Sequence, residues 1–275
     1  MKAFYKTGVG QFSFRKLPEP QILYPDQVKI KVKYTTICSD ENKDIGPEDY
    51  FSQDQIAGHE MSGIIVELGE NAYRHGFRVG DPVGGTATLS CGKCRMCLSG
   101  REHCCLEIKH TTGSLCEFVV RSYRQLVRLP DTVPLKASCL IEPLTSILQG
   151  MEHLDVQIGD YVAIWGGGFS GLIFAKLEKM RGASHVTVVE PLENRRKLAL
   201  TYGADHVIDP TLPGANIHLA NITQFTGFGK VVETSSQFDV YHMALQNLSR
   251  GATLLSFTYY SFYKKHHQHE PNISR

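Results

Sequence analysis

The chain has 275 residues, a length that favours about two domains, and 42% hydrophobic with 21% charged side chains is ordinary globular composition. Its 29 basic and 28 acidic side chains leave a net charge of +1 with no basic stripe, which argues against nucleic acid as a partner. The N-terminal MKAFYKTGVGQFSFRK lacks the apolar core of a secretory signal, and the most apolar run, YVAIWGGGFSGLIFA at 161–175, is shorter than the ~20 residues of a membrane span.

In chain order, the first part reads as β-rich. QVKIKVKYTTIC (27–38) alternates apolar and polar residues as a half-buried strand does. MSGIIVELG (61–69) and CEFVVRS (116–122) are short β-branched runs bounded by turn residues. The pattern changes after about residue 148. YVAIWG (161–166) reads as a buried strand, and SGLIFAKLEKMRG (170–182) as a helix ending at Gly182. HVTVVE (185–190) is a second strand, and NRRKLALTYG (194–203) a helix stopped by Gly203. HVIDP (206–210), KVVETS (230–235) and ATLLSFT (252–258) are further strand candidates. Alternating strands and helices argue for βαβ units and a parallel sheet. The expected organisation is a β-rich domain at 1–147 and a doubly wound nucleotide-binding domain at 148–275. The tail after 258 shows no clear element, and His266, His267 and His269 in it read as frayed surface residues.

CGKCRMCLSGREHCC (91–105) places five cysteines in fifteen residues. A cytoplasmic protein keeps its thiols reduced, so the cluster suggests a metal rather than disulfides. Cys91, Cys94, Cys97 and Cys105 have the spacing of four thiolate ligands around a closed, structural zinc, with Cys104 pointing elsewhere. Reduced surface thiols are the bland alternative.

GHEMSGIIVELGENA (58–72) holds a His-Glu pair, His59 and Glu60, ahead of a strand-like run. Cys38 lies 21 residues earlier and Glu142 lies later, in IEPL. Cys, His and Glu from separate loops can form an open zinc site. WGGGFSG (165–171) contains G-x-G-x-x-G as Gly166, Gly168 and Gly171, between a strand and a helix, as a pyrophosphate-binding turn requires. Glu190 ends the next strand, where a carboxylate favours the ribose hydroxyls of NAD over the 2′-phosphate of NADP. Arg195 and Arg196 beside it weigh the other way.

At these residues the chain resembles the zinc-containing medium-chain alcohol and polyol dehydrogenases, from residue 1 to about residue 258. GHE-x2-G-x5-G-x2-A at 58–72 matches that family's zinc signature, and the four-cysteine lobe matches its structural zinc loop. The resemblance implies a GroES-like catalytic domain, an α/β Rossmann domain and two zinc ions per chain. It makes Cys38 and His59 catalytic zinc ligands and Glu60 a ligand or its neighbour. Glu142 resembles the further glutamate ligand of the sorbitol- and threonine-dehydrogenase branch; the alternative is a helix-start carboxylate ahead of Pro143. Asp40 resembles the aspartate that orients the zinc histidine. The family usually reads Cys-x-Ser/Thr-Asp, and Cys38-Ser39-Asp40 is one residue shorter, which counts against Ser39 as proton relay and against Asp40. Arg195 matches a position that flanks the adenine. The implied reaction is hydride transfer between a zinc-bound secondary alcohol, a polyol, amino alcohol or cyclitol, and NAD. ETSS (233–236) lacks the glycine often found after this strand. The chain also stops near where the family's last sheet strand begins. It therefore reads as C-terminally truncated, which counts against the family's homo-oligomer contact through that edge. A truncated, catalytically silent zinc- and nucleotide-binding chain is the alternative function.

Overall fold

The structure, a computed structural model, describes residues 1–8, 11–38 and 55–258. The chain divides into two compact units, Met1–Thr145 and Ser146–Arg275. Unit one runs β1 (Lys2–Gly8), β2 (Gln11–Lys16), β3 (Gln27–Thr36), β4 (Gln55–Ile56), β5 (Glu60–Leu68), α1 (Glu70–Arg74), β6 (Pro82–Gly85), β7 (Thr88–Leu89), α2 (Arg95–Leu98), β8 (Lys109–His110), β9 (Phe118–Ser122), β10 (Leu126–Arg128) and α3 (Leu135–Ser138); α4 (Ile141–Leu154) carries the chain into unit two. One sheet has the order β10-β6-β5-β3-β9, with every pair antiparallel. Its buried face gathers Val28, Ile30, Met61, Ile65, Val83 and Val119, the apolar positions of the alternating runs. Lys29, on the polar phase of β3, is also buried, and its ammonium reaches Glu19 at 3.0 Å.

Unit two continues with β11 (Tyr161–Trp165), α5 (Phe169–Arg181), β12 (His185–Val189), α6 (Glu193–Thr201), β13 (His206–Ile208), α7 (Ala215–Ile222), β14 (Phe228–Glu233), α8 (Phe238–Gln246) and β15 (Leu248–Ser256). The sheet order is β13-β12-β11-β14-β15, parallel throughout. Parallel pairing needs crossovers, and helices supply them on both faces. Val162, Ile164, Val186 and Val188 pack with residues of α4, α5 and α6, including Ile147, Phe174 and Ala199. Ala163, Trp165 and Val231 pack with Leu219 of α7 and Ala244 of α8. Burial on both faces explains the continuous apolar runs; a fully buried residue such as Phe174 or Ile164 contributes roughly 1.5–3 kcal/mol. α5 ends where the sequence implies, with Gly182 at φ +114 as its left-handed cap. The strand order reverses direction at β11, so the β11–β14 end is the topological switch point. No helix among the described residues is long and apolar enough to cross a membrane.

Candidate functional site

Antiparallel pairing sets Thr36 at the end of β3 opposite Glu60 at the start of β5. Cys38 lies just past the end of β3, beside the residues that lead into β5, and this closes the 21-residue gap to His59. Ligand atoms of Cys38, His59 and Glu60 lie within 4.8 Å of one another. The glycine before His59 is required: Gly58 sits at φ +86, and a Cβ there would stand 2.6 Å from the Ser114 hydroxyl. A Cβ at Gly63 would stand 2.4 Å from the Lys31 carbonyl, so the close approach of β3 and β5 needs that glycine too.

Glu142 arrives on the first turn of α4. The Ser62 hydroxyl donates to the Leu135 carbonyl at 2.6 Å and ties α3 to β5. Gly84 of β6 admits the turn between α3 and α4, since a Cβ would meet Ile141 Cδ1 at 2.6 Å. Glu142 Oε2 is thereby held 4.0 Å from His59 Nε2. The donors are a thiol, an imidazole and two carboxylates. A tetrahedral zinc with bonds of about 2.0–2.3 Å spaces its ligands by roughly 3.3–3.8 Å; Cys38, His59 and Glu60 within 4.8 Å, and Glu142 at 4.0 Å from His59, reach that spacing by a small inward shift. The donor set and its spacing therefore fit zinc.

Four further residues, Thr35, Thr36, Ser114 and Cys139, bear on this cluster and were not foreseen. The Thr36 hydroxyl donates to the Glu60 carboxylate. The Glu60 carbonyl accepts the Thr35 hydroxyl at 2.6 Å and the Ser114 hydroxyl at 3.2 Å, so both ends of the residue are fixed. Buried Cys139, at the C-terminal end of α3 and three residues before Glu142, has its thiol pushed up by burial, opposed by the Thr36 hydroxyl and reinforced by the Glu60 charge. No local pattern marked them, because cross-strand register and helix placement bring them to the cluster. Ser39, Asp40 and the tail histidines lie outside the described residues.

The second cluster is self-contained. Sγ atoms of Cys91 and Cys97 are 3.9 Å apart, Cys94 and Cys97 3.5 Å, and Cys94 and Cys105 4.0 Å. Around a zinc with Zn–S bonds of about 2.3 Å, tetrahedral sulfurs stand roughly 3.8 Å apart. All eight cysteines are free thiols. Backbone N–H groups point at the sulfurs, from Cys91 to Cys105 at 3.2 Å and from Cys94 to Cys91 at 3.3 Å. Backbone N–H groups, that of Cys97 first, hold the Cys94 thiol down at about 6, while desolvation pushes Cys97 up to about 12. Four sulfurs so close cannot all ionise unaided, and a divalent cation resolves that conflict. Cys104 is exposed while Cys105 is buried, so the adjacent pair diverges.

In unit two the glycine-rich turn joins β11 to α5. Gly166 has φ +106, and a Cβ on it would stand 2.5 Å from the Thr234 hydroxyl, which itself donates to the Trp165 carbonyl at 3.0 Å. A Cβ on Gly171 would stand 1.9 Å from the Gly166 carbonyl. Gly168 caps α5 with no side-chain hydrogen bond, and a Cβ on it would meet nothing within 4 Å. Open space in front of an uncapped helix N-terminus fits a phosphate group. Buried Glu190 accepts the Gly167 N–H at 2.7 Å and the Leu192 N–H at 2.9 Å, so it braces this turn directly. Arg195 stands 3.7 Å from the same carboxylate. Arg196 is committed elsewhere, 3.0 Å from Asp209 and donating to the Glu190 carbonyl at 2.8 Å.

Comparison with known proteins gives matches over both units. Residues 24–131 match the alcohol dehydrogenase GroES-like domain, and residues 171–269 match the zinc-binding dehydrogenase family. The sorbitol dehydrogenase of Halalkalibacterium halodurans is 34% identical over 245 residues, covering 86% of this chain and 70% of that protein. The L-threonine 3-dehydrogenase of Sinorhizobium fredii is 29% identical over 264 residues, covering 92% of this chain and 75% of that one. Galactitol-1-phosphate dehydrogenase from Escherichia coli has the same fold, with a TM-score of 0.86 at 22% identity over 95% of this chain and 76% of that one.

Proposed function

From its place among the zinc-binding dehydrogenases with a GroES-like domain, the family of oxidoreductases to which this chain belongs, we propose that it moves a hydride between a secondary alcohol and NAD. The observation that carries this reading is the convergence of Cys38, His59 and Glu60 within 4.8 Å, with Glu142 4.0 Å from His59. A polyol or amino alcohol is the substrate class, supported by the carboxylate at Glu142 and by the named activities of the sorbitol and threonine dehydrogenase relatives.

Cys38, His59 and Glu142 hold a catalytic zinc in this reading, with Glu60 as a further ligand or a supporting carboxylate. Bound zinc supplies Lewis acidity that favours the alkoxide over the alcohol. Thr36 and Ser114 keep Glu60 in one orientation, which limits the rearrangement needed when the metal binds. Cys91, Cys94, Cys97 and Cys105 hold a second, structural zinc that leaves no position for substrate. Gly166, Gly168 and Gly171 receive the pyrophosphate of the cofactor. Glu190 disfavours a 2′-phosphate, and the Arg195 guanidinium softens that preference, so NAD is favoured over NADP. The free thiols suit a reducing, cytoplasmic setting.

Native mass spectrometry before and after mild chelation counts the metal first. Two zincs per chain, one readily removed, are the expected result. The loaded protein is then offered NAD with sorbitol, threonine and a range of other secondary alcohols. Absence of cofactor reduction with every alcohol, in protein carrying both zincs, would defeat the proposal.

A further inference from the structure

A groove of about 310 Å3 in unit one shares no lining residue with either cysteine cluster. Ile56, Thr112, Gly113, Phe118, Val120 and Arg121 contribute to its walls. Arg121 is only 6% exposed. Its Nη1 donates to the Val120 carbonyl at 3.1 Å and its Nη2 to the Thr112 carbonyl at 2.7 Å. These bonds engage two of the five N–H donors of a guanidinium. No carboxylate stands within ion-pair distance of Arg121 among the described residues. Arg196, also largely withdrawn from solvent, instead meets Asp209 at 3.0 Å.

A buried cation without a counter-anion is costly, and burial lowers Arg121 to about 10, which leaves it charged at neutral pH. Among the described residues, the ionisable group that acts on it is the Cys116 thiol. Burial pushes that thiol up to about 11, so Cys116 is neutral and supplies no balancing charge. Ile56, Phe118 and Val120 give the groove apolar walls beside this charge. Its volume is at the small end of the range, about 300–1,000 Å3, typical of small-molecule sites. Planar carboxylates and phosphates match the guanidinium fork, which binds two oxygens at once.

We propose that this groove binds a small oxyanion, a carboxylate or phosphate group gripped by the Arg121 guanidinium with its carbon body against Ile56, Phe118 and Val120. The bound anion supplies a countercharge that no described residue places within ion-pair distance of Arg121. The site is separate from the metal and glycine-loop residues, so it stands or falls independently of the dehydrogenase activity.

The test is the Nε–H resonance of Arg121, followed in the full-length, zinc-loaded protein labelled with 15N-arginine. Inorganic phosphate and acetate are added separately at constant ionic strength, with chloride as control. This resonance ignores phosphate that settles on the glycine turn of unit two. A saturable shift with phosphate, acetate or both is expected, and which of them acts says whether the natural ligand is a phosphate or a carboxylate. Arg121→Lys retains the charge without the fork and should weaken binding about tenfold or more, seen by calorimetry. Should that variant fail to fold, Thr112→Glu sets a carboxylate in the groove wall and should abolish the shift with Arg121 still present. An Arg121 resonance that phosphate and acetate leave unmoved, or that chloride moves equally, overturns the proposal and leaves Arg121 as a brace for two carbonyls.

Discussion

His59 Nε2 lies 4.0 Å from Glu142 Oε2, although 83 residues separate them in the chain. The contact depends on the Ser62–Leu135 tie and on the space left by Gly84, so Glu142 is delivered to His59 by packing rather than by sequence proximity. Glu142→Ala should therefore cost the labile zinc and leave the tightly held one. Before any chelation, native mass spectrometry should show one zinc in the variant where the parent shows two, with the second bound about tenfold or more weakly. Equal zinc content in variant and parent would reassign Glu142 as a helix-start carboxylate.

The four-cysteine lobe carries the opposite expectation. Its short α2 and two-residue β7 and β8 offer little apolar surface, so its order should depend on metal. Cys97→Ser removes the buried sulfur that lies within 4 Å of both Cys91 and Cys94. The variant should lose the tight zinc, and Leu98 and Leu106, already exposed, should be joined by new protease-sensitive sites in 91–107. A stability loss of about 4 kcal/mol corresponds to zinc present at a thousand times its dissociation constant. Limited proteolysis with and without chelator measures it; identical digestion patterns would show a lobe that folds without metal.

Glu178 gives unit two a pH dependence. It lies fully buried on α5, and neither carboxylate oxygen has a hydrogen-bond partner among the described residues. Burial pushes its carboxyl from 4.5 up to about 7, opposed by Arg181 and Lys230 and reinforced by Asp160. Arg181 is bonded to the Met151 carbonyl and Lys230 to the Leu154 carbonyl, so neither cation closes on it. The folded state binds this proton more tightly than the unfolded chain. Its contribution is fully present below pH 4.5 and is lost as pH rises towards 7. Glu178→Gln should flatten the profile and make the protein more stable than the parent above neutrality by roughly 1–3 kcal/mol. Urea unfolding across the pH range checks this; parallel profiles for variant and parent would mean the carboxyl titrates normally.

What could be read from the sequence followed the reach of each interaction. β11, α5 and β12 were legible because the runs are strongly apolar and Gly182 supplies a local stop at φ +114. α7 was not, since its N-cap is Gly214 with no side-chain cap and its signals are weak. β2 was missed because it buries little: Phe14 on it is 82% exposed. His59 and Glu60 stood in one motif and Cys38 was assigned by resemblance, whereas Thr36 and Cys139 come to this cluster through the register of β3 on β5 and the placing of α3, which no short window encodes. The strand end ETSS, noted for its missing glycine, places Ser236 at φ +62, so a serine occupies the left-handed conformation that glycine adopts more readily. Arg121 left no trace at all: one basic residue in a strand reads as a solvated face, and only tertiary packing buries it.

Gly168 and Gly171 separate cofactor binding from folding. Both belong to one motif, yet a Cβ at Gly171 would stand 1.9 Å from the Gly166 carbonyl, and a Cβ at Gly168 would meet nothing within 4 Å. Gly171→Ala must push backbone apart where the turn joins α5, and it should destabilise unit two by roughly 1–3 kcal/mol whether or not nucleotide is present. Gly168→Ala keeps a negative φ of −73 and should fold as the parent does. Its methyl would nevertheless occupy space in front of the α5 N-terminus, where the backbone has to approach the pyrophosphate. NAD affinity, followed by quenching of Trp165 at the head of the turn, should fall about tenfold or more in Gly168→Ala with the melting temperature unchanged. Unaltered NAD affinity in a folded Gly168→Ala protein would mean that the open side of this turn is not where the pyrophosphate lies.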